Sequence, residues 1–144
     1  MDKSRKMHRC VDIMLLDKTG KVLLLQRQDS DELFPNKWCL PGGHVLEGEP
    51  LQDAAKRECE EETGIIVEKL IKVGTYDFDN DFVSTLFLAD EERGCFDKDK
   101  VQLSVTEHQA AKWVPLDLIF SQNLAGDLGA MIKALILNEW DDEE

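Results

Sequence analysis

Apolar residues fall along this chain in short runs bounded by turn-forming residues, with two longer stretches of helical period. Val11 to Leu16 and Lys21 to Gln26 are strand-length apolar runs joined by Asp17-Lys18-Thr19-Gly20, which predicts a hairpin. Trp38-Cys39-Leu40 predicts a strand that ends where Pro41-Gly42-Gly43 turns the chain, and His44-Val45-Leu46 adds a short extended piece. Leu51 to Thr63 predicts a helix, with Pro50 suited to its first turn and Gly64 to its C-terminal cap. Ile66 to Tyr76 and Phe82 to Ala89 predict strands around a turn at Asp77 to Asp81, and Gln109 to Val114 predicts another. Leu128, Met131, Ile132, Leu135 and Ile136 follow the i, i+3, i+4 pattern of a second helix over Asp127 to Trp140, and Asp141-Asp142-Glu143-Glu144 (141–144) reads as a frayed tail. There is no internal repeat, and 144 residues suit a single domain, 1–144.

The first helix departs from an ordinary amphipathic pattern. At about 100° per residue, Leu51, Ala54, Ala55, Glu58, Glu61 and Glu62 share one arc of roughly 120°, so the apolar stripe continues as a carboxylate stripe. Two carboxylates about 6 Å apart repel by roughly 3 kcal/mol at an effective dielectric near 20, a large sum against the stability of a small domain. Protonation or bound cations must offset that, unless the helix end simply projects into solvent. Hard oxygen ligands of this kind suit Mg²⁺ or Mn²⁺. Pro41-Gly42-Gly43 would bring bare backbone close to the same helix.

Composition narrows the reading. With 42% hydrophobic and 33% charged residues the chain reads as a globular protein, and no apolar run approaches the roughly 20 residues that span a bilayer. The charged start, Met1 to Lys6, lacks the apolar stretch of a signal peptide, which predicts a cytoplasmic location. Cys10, Cys39, Cys59 and Cys95 are scattered without a Cys-x-x-Cys pair and read as structural thiols. Thirty acids against 17 bases, a net charge of −13, argue against a broad grip on a nucleic-acid polymer, and no membrane partner is expected. Divalent cations would reconcile such acidity with a polyanionic small molecule. Asp77-x-Asp79-x-Asp81 begins like a calcium loop, but Phe82 stands where glycine is needed and Leu88 where the final Glu would be.

Gly43, then five residues, Glu49, then seven, and Arg57-Glu58-Cys59-Glu60-Glu61-Glu62-Thr63-Gly64-Ile65 resembles the signature box of the Nudix hydrolases across residues 43–65, with every spacing matched. Cys59 departs from it, standing where the family usually has a larger aliphatic residue. Trp38 to Gly43 is similar to the family's approach to the box, and Trp113-Val114-Pro115-Leu116 to its late strand. The resemblance implies an α/β fold, an α/β/α sandwich around a central mixed sheet, covering nearly the whole chain. It also implies that Glu58, Glu61 and Glu62 ligate Mg²⁺, or Mn²⁺, with the carbonyl of Gly42 as a further ligand and Arg57 orienting the acids. In the MutT-like branch a further acid lies six residues before the late tryptophan, which makes Glu107 a candidate ligand or general base, with an exposed loop acid as the competing reading.

The implied reaction is attack of a metal-activated water on phosphorus in a nucleoside diphosphate derivative, with Glu58, Glu61 and Glu107 left open as the proton acceptor. Leu40-Pro41-Gly42-Gly43-His44-Val45 resembles branches that convert a (deoxy)nucleoside triphosphate, intact or damaged, to the monophosphate and pyrophosphate. ADP-ribose or a nucleotide sugar is the alternative substrate, and a nucleotide sensor without catalysis the alternative of another class. Four residues are candidates for binding substrate: Asp127, where some triphosphate branches read the base, His44 for phosphate, and Phe34 and Trp38 for stacking on the base. For each a plain structural role competes, a helix N-terminal acid for Asp127 and core packing for the two aromatics. Homodimers are common in the family.

Overall fold

A computed structural model describes residues 8–78, 82–102 and 108–137. In chain order the elements are β1 (His8–Leu16), β2 (Lys21–Arg27), β3 (Trp38–Cys39), β4 (Gly42–His44), α1 (Leu51–Thr63), β5 (Ile71–Phe78), β6 (Phe82–Asp90), β7 (His108–Pro115) and α2 (Leu128–Ile132). A π-helical turn, Lys133–Leu137, prolongs α2 and lays Leu135 on Gly74 of β5. The rest of the helix expected up to Trp140, and the acidic tail, lie outside the described residues.

The strands form one mixed sheet in the order β3-β2-β1-β6-β5, with β4 also on β1 and β7 also on β2. β1 and β6 run parallel and the other pairs antiparallel. Both faces are covered, which is why β1 and β2 read as nearly continuous apolar runs rather than as clean alternations. Period-two geometry still sorts their side chains. Val11, Ile13, Leu15, Leu23, Leu25 and Phe87 pack with Ala54, Ala55 and Cys59 of α1, whereas Met14, Val22, Leu24 and Leu86 pack with Met131 and Ile132 of α2. The α/β/α arrangement expected from the sequence is present. Cys59 is fully buried, and the small side chains of α1 hold that helix close to the sheet.

Helix α1 has the predicted bounds. Pro50 occupies its N-cap position with extended backbone, and Gly64 closes it at φ 75° with its N–H on the Glu60 carbonyl. Two local expectations fail. Gly42 and Gly43 do not form a turn; they are strand residues, paired with Asp12 and Val11 of β1. A Cβ on Gly42 would stand 2.1 Å from the Val11 carbonyl oxygen, so close backbone approach is the demand these glycines meet. The strand expected from Ile66 begins only at Ile71. Ile65 and Val67 are buried and Ile66 is 67% exposed, an extended alternation, but Glu68 N–H bonds the Cys95 carbonyl outside any ladder.

Candidate active site

Arg57 sits at the centre of the acidic helix. Its Nε and Nη2 donate to the two oxygens of Glu49, at 2.9 and 3.0 Å. Nη1 donates to Glu58 at 2.8 Å and to Glu61 at 3.4 Å, and Nη2 also reaches the His44 carbonyl at 3.1 Å. One planar guanidinium thereby fixes three carboxylates and the end of β4, a task its fork geometry permits. The hydrogen bonds from Arg57, with that of the Leu46 N–H, hold the Glu49 carboxyl below its ordinary range. The same pairing, with Glu49 first and Glu58 next, raises the Arg57 pKa beyond its already high value.

Gly43 is the second fixed point. A Cβ there would lie 2.6 Å from the Glu58 carboxylate, so the absent side chain is what lets that carboxylate rest against β4. Glu62 points to the sheet instead: it is buried, and its Oε1 accepts the Gly42 N–H at 2.8 Å. Glu61 is 57% exposed at the rim. The buried stripe of α1 is therefore Ala54, Ala55, Cys59, Glu62 and Thr63, with Glu58 at its border and Glu61 outside it, which corrects the single inward arc of the helical wheel.

Among the described residues no group of three or more His, Cys, Asp or Glu side chains already forms a coordination shell. Arg57 and the Gly42 N–H hold the acids in their present positions. The donor set nonetheless fits a hard divalent cation, because Glu58 and Glu61 are drawn to one guanidinium nitrogen and Glu58 lies in the space that Gly43 leaves.

Gly42 and Gly43 also border a cleft of about 930 Å³. His44, Phe34 and Asp127, three of the four expected substrate-binding residues, line it together with Glu62. His44 Nδ1 lies 3.6 Å from Cys10 Sγ, and its ring is tilted against Phe82. Phe34 rests over Gly126 and under the Arg27 guanidinium, at 5.9 Å. Asp127 stands at the N-cap position of α2 without a side-chain capping bond. Trp38 is elsewhere: it packs with the α2-side core beneath the Lys112 ammonium, 4.0 Å from the ring centroid. Core packing thus accounts for Trp38. Glu107 lies outside the described residues.

Sequence reading missed Asp12 and the Arg27–Asp31 pair. Arg27 holds Asp31 at 2.7 Å, and that bond, helped by the Phe34 N–H, keeps the Asp31 pKa down at about 2. Asp12 lines the cleft floor, where Ser84 Oγ donates to its Oδ2. Burial pushes its pKa up to about 6 against the lowering effect of that bond. The signal was an aspartate inside the otherwise apolar run Val11 to Leu16. Burial likewise raises the thiols of Cys10 to about 11 and Cys39 to about 12, which removes both as nucleophiles near neutrality.

The family model described as the NUDIX domain matches residues 6–135. An RNA pyrophosphohydrolase of Bartonella quintana is 36% identical over 115 residues, 77% of this chain and 60% of the relative. The nucleoside triphosphatase NudI of Escherichia fergusonii is 37% identical over 75 residues, 51% of each chain. The crystal structure of a MutT NUDIX hydrolase from Burkholderia pseudomallei superposes with a TM-score of 0.75 at 25% identity, covering 92% of this chain and 99% of that one. Matches to the first curated relatives span only 20% to 38% of those proteins' own lengths.

Proposed function

The chain belongs to the Nudix hydrolase family, and from that premise we propose that it hydrolyses a phosphoanhydride bond of a (deoxy)nucleoside triphosphate, giving the monophosphate and pyrophosphate. The observation that carries this reading is one edge with two uses: Gly42 and Gly43 border a nucleotide-sized cleft and also meet Glu62 and Glu58 of α1. Glu58, Glu61 and Glu62, with the Gly42 carbonyl, would hold Mg²⁺ or Mn²⁺, which when bound neutralises phosphate charge and acidifies a water. Arg57 keeps the acids converged, and Glu49 anchors Arg57. Glu58, Glu61 and Glu107 are the candidates to accept the proton of the attacking water. The nucleoside then lies along Phe34 and toward Asp127, with His44 on the phosphate side.

The triphosphate reading is supported by the likeness to NudI and to a MutT structure. The likeness to an RNA pyrophosphohydrolase supports a second reading, in which the nucleotide is part of an RNA; the net charge of −13 weighs against it. No helix among the described residues is long and apolar enough to cross a membrane.

Purified protein incubated with Mg²⁺ and a panel of nucleoside triphosphates, ADP-ribose, a nucleotide sugar and 5′-triphosphorylated RNA separates these readings by its products. The expected result is monophosphate and pyrophosphate from a free triphosphate, with Glu61→Gln lowering turnover at least about a hundredfold and leaving the melting temperature unchanged. Tight binding without products, or an undiminished Glu61→Gln rate, would overturn the assignment.

A further inference from the structure

Strand β5 lies at an open edge of the sheet. Its inner side pairs with β6, and no described strand pairs with its outer side. Such an edge offers unpaired backbone N–H and C=O groups to a second strand, and proteins that keep it unpaired place bulges, prolines or lone charges there. β5 carries a bulge between Lys72 and Gly74 and two charged residues, Lys72 and Asp77. An odd number of positions separates the two, so a regular strand would point them to opposite faces. The bulge turns them to the same face: Lys72 pairs with Phe87 and Asp77 with Val83, which share one side of β6. Both are exposed, and among the described residues neither has an ion-pair partner.

That placement is self-complementary. Lys72 and Val73 together occupy the one position that faces Phe87. Counted so, antiparallel pairing of β5 with β5 of a second copy about Thr75 sets Lys72 opposite Asp77, Gly74 opposite Tyr76 and Ile71 opposite Phe78, each pair on a single face. A two-fold axis makes each pair occur twice. Slipping the register by two residues in either direction loses both ion pairs, and slipping it by four sets lysine against lysine or aspartate against aspartate. A lysine that served only to repel a neighbouring edge would have no acid at the matching position. Ile71, 46% exposed, gains an apolar neighbour in Phe78, which also lines the cleft. At a net charge of −13 two copies repel one another at large, so self-association requires such locally opposed charges.

We infer that the outer edge of β5 is an interface for a second copy of this chain, aligned by Lys72 and Asp77 across a two-fold axis at Thr75. Sedimentation equilibrium of the full chain at about 0.15 M salt, over micromolar to millimolar protein, tests it. The wild type is expected to show a monomer–dimer equilibrium. Lys72→Asp and Asp77→Lys each set like charges opposite one another and are expected to raise the dimer Kd about tenfold or more. An equimolar mixture of these two variants pairs two acids on one copy with two lysines on the other, and is expected to associate at least as tightly as the wild type. Lys72→Asp/Asp77→Lys, which exchanges the charges within one chain, is expected to return the Kd to within about threefold of the wild type. Both positions are exposed, so unchanged thermal melts should accompany these shifts. A wild type that is monomeric at every concentration, a dimer indifferent to both single reversals, or a mixture that associates no better than its components overturns the inference.

Discussion

At Gly43 the difference between a hydrogen and a methyl group decides where Glu58 can stand, since a Cβ would come within 2.6 Å of its carboxylate. The obstacle would be the tip of a side chain, which can swing away at modest cost, whereas Arg57 would lose the 2.8 Å bond that converges it with Glu58. Gly43→Ala is therefore expected to fold, with a penalty of about 1–3 kcal/mol, while turnover falls at least about tenfold. Steady-state kinetics beside a thermal melt would show it. A folded Gly43→Ala protein at full activity would mean that the position of Glu58 is immaterial. Gly42 faces a harder obstacle, the Val11 backbone, and there alanine must disturb the β1–β4 pairing itself.

Lys98 connects elements that are distant in sequence. Its ammonium meets Asp17 in the turn between β1 and β2 and lies 4.8 Å from the ring centroid of Trp113 in β7, on which Phe96 stacks. Burial alone would raise the Asp17 pKa, but Lys98 and the turn N–H groups hold it well below the carboxylate range. Lys98→Met leaves that carboxylate, 1% exposed, without its cation, and is expected to cost about 2 kcal/mol, allowing for the part-exposed lysine. The folded pKa is the lower one, so this contribution is complete above the unfolded value near 4 and is lost as pH falls through the folded value. Urea unfolding of both proteins should therefore give a constant difference from pH 7 to about 4.5 and a shrinking one below it; a gap that widens in acid would refute the pairing. Periodicity and caps made α1 legible to the residue, because a helix packed on one face leaves its signal in its own sequence. The segment after Gly64 was misread because Ile65-Ile66-Val67 has the alternation of a strand while the partner that decides the matter, Cys95, is remote. Asp12 and Arg27 went unnoticed for a related reason: their significance depends on Ser84 and Asp31 facing one cleft, and spacing along the chain does not carry that information.

Over the whole molecule, a net charge of −13 and a rim of carboxylates on α1 make the proposed cation binding a stability term as well as a catalytic one. A cation held by the folded state alone stabilises it by RT ln(1 + [L]/Kd), about 1.4 kcal/mol at tenfold excess over Kd, or about 4–5 °C in a domain of this size. Millimolar MgCl₂ should thus raise the melting temperature beyond sodium chloride of equal ionic strength, EDTA should reverse the gain, and the Glu58→Gln/Glu61→Gln protein should show only the ionic-strength effect. An equal gain in that double variant would place the bound cation away from α1. The parallel pairing of β1 with β6 has a consequence for synthesis. Its partners run from His8↔Phe82 to Leu16↔Asp90, so the strand made first waits for one made more than seventy residues later. Ser84, which holds Asp12, lies on that late strand. A nascent chain that has emerged only through α1 already contains every acid of the box but has no floor on which to seat a nucleotide. The cleft is thus completed only after the acids of the box have been made, when the sheet closes across the chain.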